Sequence, residues 1–119
     1  MGGRMTVAEK IKMAVLLSGS GTTLENFFVK IDEGELDAEV AVVISSLSDA
    51  YGLVRADRRG VPTAVYPRGK YGSVAEYSAA VFGEIEAYEP DLVVLAGFMV
   101  LIEEHGFDGA MTLLGAGGE

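Results

Sequence analysis

The stretch that decides the fold is Met13 to Phe28, MAVLLSGSGTTLENFF. Met13 to Leu17 are continuously apolar, as a strand buried on both faces of a parallel sheet requires. Ser18, Gly19, Ser20 and Gly21 follow, a turn in which the backbone can approach a ligand with no Cβ in the way. Leu24, Phe27, Phe28 and Ile31 then recur at helical spacing, so a helix is expected from about Thr22. A helix N-terminus behind a glycine turn offers N–H groups and a partial positive charge, which suits a phosphate. The same residues also fit a plain tight βα turn. No Gly-Lys-Ser/Thr follows, so this is not a P-loop. As a dinucleotide fingerprint it is incomplete, with Leu24 where the third glycine belongs and no acidic residue closing the next strand. The phosphate reading is therefore for a monoester.

Outward from this stretch, strands and helices alternate. Residues 1–11 read as a frayed leader, with Met5 as an alternative start, and Glu33-Gly34-Glu35 is a polar turn. Val40 to Ile44 is a second buried strand. Asp49 is expected to cap a short helix carrying Leu53, Val54 and Ala56, which Gly60 stops. Pro62 to Tyr66 is a third strand, and Ser73 with Glu76 has the spacing of a capping box. Val74, Tyr77, Val81, Ile85 and Tyr88 form a helical stripe that Pro90 ends. Asp91 to Gly97 is a fourth strand, and Met111 to Leu114 can begin a fifth, ahead of a glycine-rich tail at 115–119. The alternation implies an α/β fold: an open parallel sheet of Rossmann-like βα units with right-handed crossovers, one domain over residues 12–114.

The 119 residues carry 9 Lys+Arg against 18 Asp+Glu, a formal net charge of −9. Such a surface repels a nucleic-acid backbone, so an anionic ligand must be held by local donors. With no cysteine there is no disulfide, thiolate nucleophile or cysteine metal site. No segment is long and apolar enough to span a membrane, and the polar start lacks a signal-peptide core. A soluble cytoplasmic protein without metal, nucleic-acid or membrane partners is the expectation.

Other residues at the carboxyl ends of strands are further candidates, because ligands of open α/β sheets bind there. Ser45, Ser46, Ser48 and Asp49 follow the second strand, with helix capping as the structural explanation for Asp49. Gly97-Phe98-Met99 after the fourth can line a slot for a flat ring or pack in the core. Arg68 and Lys70 form a basic pair that can reach an anion or remain solvated. His105, beside Glu103, Glu104 and Asp108, reads as a surface histidine, since nothing else stands at ligand spacing.

LLSGSGTTLENF (Leu16 to Phe27), SDAYGL (Ser48 to Leu53) and YEPDLVVLAGFM (Tyr88 to Met99), in that order, resemble the glycinamide ribonucleotide formyltransferase family. The resemblance runs from about Lys12 to Ile102 and covers the amino-terminal half of such an enzyme. It implies a truncated formyltransferase fold that takes 10-formyltetrahydrofolate as co-substrate and a phosphorylated ribose compound as ligand, in purine synthesis. Gly21, Thr22 and Thr23 match the positions that grip the substrate phosphate. Met99, Val100, Leu101 and Ile102 match the segment along which the folate pterin lies. The chain departs from the family at Thr23, where Asn is frequent, and at Val100, where Arg is. A folate-contacting Arg of some members falls on Val74, and Arg68 or Lys70 is a conceivable substitute.

Formyl transfer passes through a tetrahedral oxyanion, which needs a proton shuttle near neutrality, donors to the oxyanion and a carboxylate behind the shuttle. The family supplies these from Asn-x-His-Pro after the fifth strand and a later Asp. Here Gly115-Ala116-Gly117-Gly118-Glu119 follows instead, and His105 has Glu103, not Asn, two residues earlier. No catalytic residue is assigned. The chain alone is expected to bind a phosphoribosyl ligand weakly and to catalyse little. The alternatives are a non-catalytic nucleotide-binding or scaffold protein, or a truncated product without function. The fourth strand, left at or near an uncovered edge, is expected to drive a homodimer or larger assembly.

Overall fold

A computed structural model describes residues 10–103 and 106–114. The apolar run forms β1 (Ile11–Leu17), starting two residues before Met13 and so taking in Ile11 of the expected leader. After it come α1 (Thr22–Asp32), β2 (Ala38–Ser45), α2 (Tyr51–Arg58) and β3 (Thr63–Val65). A 3₁₀ turn at Arg68–Lys70 leads to α3 (Val74–Glu86), β4 (Leu92–Ala96) and β5 (Ala110–Leu114). The rest of the leader, Glu104, His105 and the tail at 115–119 lie outside the described residues.

The strands pair in parallel in the order β3-β2-β1-β4-β5. The chain winds from β1 outward to β3, then returns through α3 to the other side of β1. Side chains alternate along β1, and both sets are buried. Met13, Val15 and Leu17 join the core under α1 and α2, while Ala14 and Leu16 join the core under α3. Helices on both faces explain why this strand is apolar at every position from Met13 to Leu17.

Several boundaries differ from the sequence expectation for identifiable reasons. Asp49 is exposed and does not cap α2; the N-cap is Ala50, which is buried and makes no side-chain cap bond. The start of α2 is set instead by Gly52, whose amide donates to the Gly19 carbonyl at 3.1 Å. Gly60 does close α2, with φ +71 and the paired bonds Gly60 N–H to Asp57 O and Val61 N–H to Ala56 O. The capping box is half formed. Ser73 Oγ accepts from the Glu76 amide at 3.1 Å, but the Glu76 carboxylate takes the Gly72 amide. α3 ends at Glu86, before Pro90, because residues 87–89 tighten into i→i−3 bonds. Tyr88 thus lies beyond the helix and still packs on its core. The fifth strand is present, so β5 rather than β4 forms that edge, with Leu113 exposed.

Candidate functional site

The strand order reverses between β1 and β4, so their carboxyl ends open the crevice where ligands of open α/β sheets sit. Three chain segments meet there: the turn Ser18–Gly21 after β1, Ser45–Leu47 after β2, and the segment 97–103 after β4.

The turn after β1 is held by α2. Gly21 is the N-cap of α1 in the left-handed region, φ +77. A Cβ on Gly21 would stand 2.6 Å from the Gly52 Cα, and one on Gly52 would stand 2.5 Å from a Leu17 methyl. Gly21 therefore lets the turn meet α2 backbone against backbone, and Gly52 leaves room for the Leu17 side chain of β1 against α2. Glu25 N–H to Gly21 O, at 2.9 Å, is the first bond of α1. Thr22, Thr23 and Leu24 thus occupy its first turn, at the positive end of the helix dipole. Arg55 approaches from α2: its Nε–H donates to the Ser20 carbonyl at 2.7 Å, and its guanidinium lies 3.6 Å from Glu25.

A serine pair ties the three segments together. Ser18 Oγ and Ser46 Oγ are 2.6 Å apart and buried, and Ser18 Oγ also accepts the Met99 amide at 2.9 Å. Further along, the Glu103 amide donates to Ser78 Oγ at 2.9 Å, from the buried face of α3. The folate candidates are thus anchored at both ends. Between the anchors Val100 and Ile102 pack on the α3 core, while Met99 and Leu101 are 73% and 78% exposed. Gly97, with φ +73, turns the chain into this segment, and Phe98 goes to the core, where its ring stacks on Tyr77 at 6.5 Å. The result is an exposed apolar ledge.

The remaining candidates are accounted for locally. Ser45 Oγ donates to the Leu47 carbonyl and accepts its amide, closing its own turn. Ser48 and Asp49 are exposed. Arg68 donates to the Tyr71 carbonyl at 2.8 Å and lies over the Tyr77 ring, so it serves its own loop, while Lys70 is exposed. Beneath that loop two phenols are shifted. Burial first, then a 2.8 Å bond to Glu84, pushes Tyr66 up to about 12. Burial also pushes Tyr77 up to about 12, with its hydroxyl donating to the Tyr66 carbonyl at 2.7 Å. His105 lies outside the described residues; among those described, no three His, Cys, Asp or Glu side chains cluster for a metal ion. A pocket of about 270 Å³ between Glu86, Glu89, Phe107 and Asp108 opens at the opposite, amino-terminal edge, and its acidic rim suits no phosphate.

Gly52, Arg55 and Ser78 were not among the sequence candidates, and Ser18 was one only as part of the turn, not as the tie to Ser46 and Met99. A glycine one turn before an arginine in a short helix is the one local signal that could have found the clamp. A lone serine on an apolar helix face is the signal for Ser78.

Residues 11–107 match the formyl transferase family. The chain belongs to that family. Among formyl transferase relatives, the phosphoribosylglycinamide formyltransferase of Haemophilus influenzae is 40% identical over 91 residues, 76% of this chain and 43% of the relative. The trifunctional purine biosynthetic protein adenosine-3 of Gallus gallus is 39% identical over 93 residues, 78% of this chain and 9% of that protein. The solved phosphoribosylglycinamide formyltransferase of Coxiella burnetii superposes with a TM-score of 0.76 at 38% identity, over 80% of this chain and 44% of that one. The chain thus spans less than half the length of these formyl transferases. No helix among its described residues is long and apolar enough to cross a membrane.

Proposed function

We propose that this chain is the phosphoribosyl-binding half of a phosphoribosylglycinamide formyltransferase, the enzyme that passes a formyl group from 10-formyltetrahydrofolate to glycinamide ribonucleotide. The observation that carries the reading is the turn after β1. In a member of this family, a glycine-capped helix N-terminus stands at the switch point beside β4. Gly21, Thr22 and Thr23 receive the phosphate, and the dipole of α1 offsets the acidic surroundings. Met99, Val100, Leu101 and Ile102 carry the folate ring, with Met99 and Leu101 supplying apolar contact.

Within the 119 residues no Asn-x-His-Pro is present. Residues 1–119 are accordingly read as binding without turnover, since a proton shuttle and its oxyanion donors are missing. The outer edge of β5, with Leu113 exposed, is the surface on which self-association is expected. A monomer by light scattering at micromolar concentration ends that expectation.

Calorimetric titration with glycinamide ribonucleotide and with its phosphate-free nucleoside tests the reading. Saturable binding that needs the phosphate supports it. Silence from demonstrably folded protein overturns the binding site, and robust formyl transfer by the 119 residues alone overturns the non-catalytic reading. Gly21 is a poor probe here, because any side chain on it collides with Gly52 whether or not a phosphate binds.

A further inference from the structure

The carbonyl and the following amide of a trans peptide point in opposite directions. In the turn after β1, two successive carbonyls face α2: Gly19 O accepts the Gly52 amide, and Ser20 O accepts Arg55 Nε–H at 2.7 Å. The amides of Ser20 and Gly21 are therefore turned away from α2. Two consecutive N–H groups presented together, followed by the first turn of a helix, make an anion cradle. The Arg55 stem closes over the same place, with its Cδ 3.4 Å from where a Gly21 Cβ would stand. Its side chain is only 23% exposed, so the guanidinium is held in a defined position rather than solvated at large.

We infer that Arg55 is a positioning residue for the phosphate: it pins the Ser20–Gly21 peptide so that the Gly21 amide is aimed at the ligand before the ligand arrives. This rests on the phosphate reading above and adds to it a residue outside the turn itself. A chain with a net charge of −9 gains little long-range pull on an anion, so preorganised donors have to supply the affinity. The guanidinium is shared with Glu25 at 3.6 Å, which leaves orientation, more than charge, as its contribution. Lysine carries a methylene where arginine has Nε, so it retains the charge without the bond to Ser20.

The test uses the full chain with Arg55→Met and Arg55→Lys. Calorimetry compares glycinamide ribonucleotide with its phosphate-free nucleoside, and NMR follows the Ser20 carbonyl carbon and the Gly21 amide in the ligand-free protein. Both variants are expected to lose about tenfold in affinity for the ribonucleotide, the scale of one hydrogen bond to a charged group. Affinity for the nucleoside is expected to stay unchanged, and the Ser20 and Gly21 signals to move. Equal losses for both ligands would make Arg55 merely structural and overturn the inference. Full recovery with lysine would overturn it in favour of charge alone. Wild-type protein that binds neither ligand would end the phosphate reading itself. Unmoved Ser20 and Gly21 signals in the variants would overturn the pinning of the peptide independently of any ligand.

Discussion

The turn after β1 is packed backbone to backbone, whereas the segment after β4, beside it at the same edge of the sheet, hangs from two serine hydroxyls. Gly21 and Gly52 touch without side chains between them, and α2 holds two successive carbonyls of the turn. The β4 segment is fixed at Met99 by Ser18 and at Glu103 by Ser78, and exposes Met99 and Leu101 in between. Rigidity in the first region comes from close approach that no other residue permits. In the second it comes from a few directional bonds, which leave apolar side chains free for contact. Under the proposed function, the first region would grip the phosphate through main-chain amides and the second would offer apolar contact to the folate ring.

The largest effect expected is from Gly21→Val, which forces a β-branched residue into the left-handed region and against the Gly52 backbone. It should cost about 3 kcal/mol or more in urea unfolding, and a loss near zero would mean the two helices can separate without penalty. Ser18→Ala comes next, at about 2 kcal/mol, because it strips a buried partner from both Ser46 and the Met99 amide. If the two regions are coupled through Ser18, the same variant weakens binding of a folate analogue as well as stability. An unchanged folate affinity would separate them.

Tyr77→Phe should cost about 1 kcal/mol near neutrality through the lost bond to the Tyr66 carbonyl. Its pH signature is specific. Burial favours the neutral phenol in the fold, so the pKa is raised from an unfolded value of about 10 to about 12. The stabilisation is complete below about pH 10 and is lost as pH rises through about 12. Wild-type stability should therefore fall over that range more steeply than that of the variant, and parallel curves would refute the assignment. The smallest effect belongs to Leu101→Asn, which should stay within about 0.5 kcal/mol because the side chain is exposed. It should still weaken folate-analogue binding, and a large loss of stability would mean the ledge is part of the core.

Much of the architecture was legible along the chain because burial patterns are local. The uninterrupted apolar run of β1, the stripe of α3 and the glycine stops each follow from a spacing that one element imposes on itself. The turn after β1 and the segment after β4 were likewise visible, as glycines at strand ends. Asp49 misled, since its cap geometry fits the sequence but Gly52 sets where α2 begins. The contacts of Arg55 and Ser18 were hidden for a related reason: the Ser20 carbonyl lies 35 residues from Arg55, and the Met99 amide lies 81 residues from Ser18.

The amino-acid sequence by itself determined the alternation of strands and helices, the absence of any cysteine chemistry, and the likeness to the formyl transferase family. Those properties depend on local periodicity, composition and motif order. Tertiary structure alone decided that β1 and β4 are neighbours at a switch point, that Gly21 lies against Gly52, and that Arg55 reaches the Ser20 carbonyl. Each of these is a contact between segments distant in sequence, and its geometry exists only once the parallel crossovers have brought strand ends to a common edge.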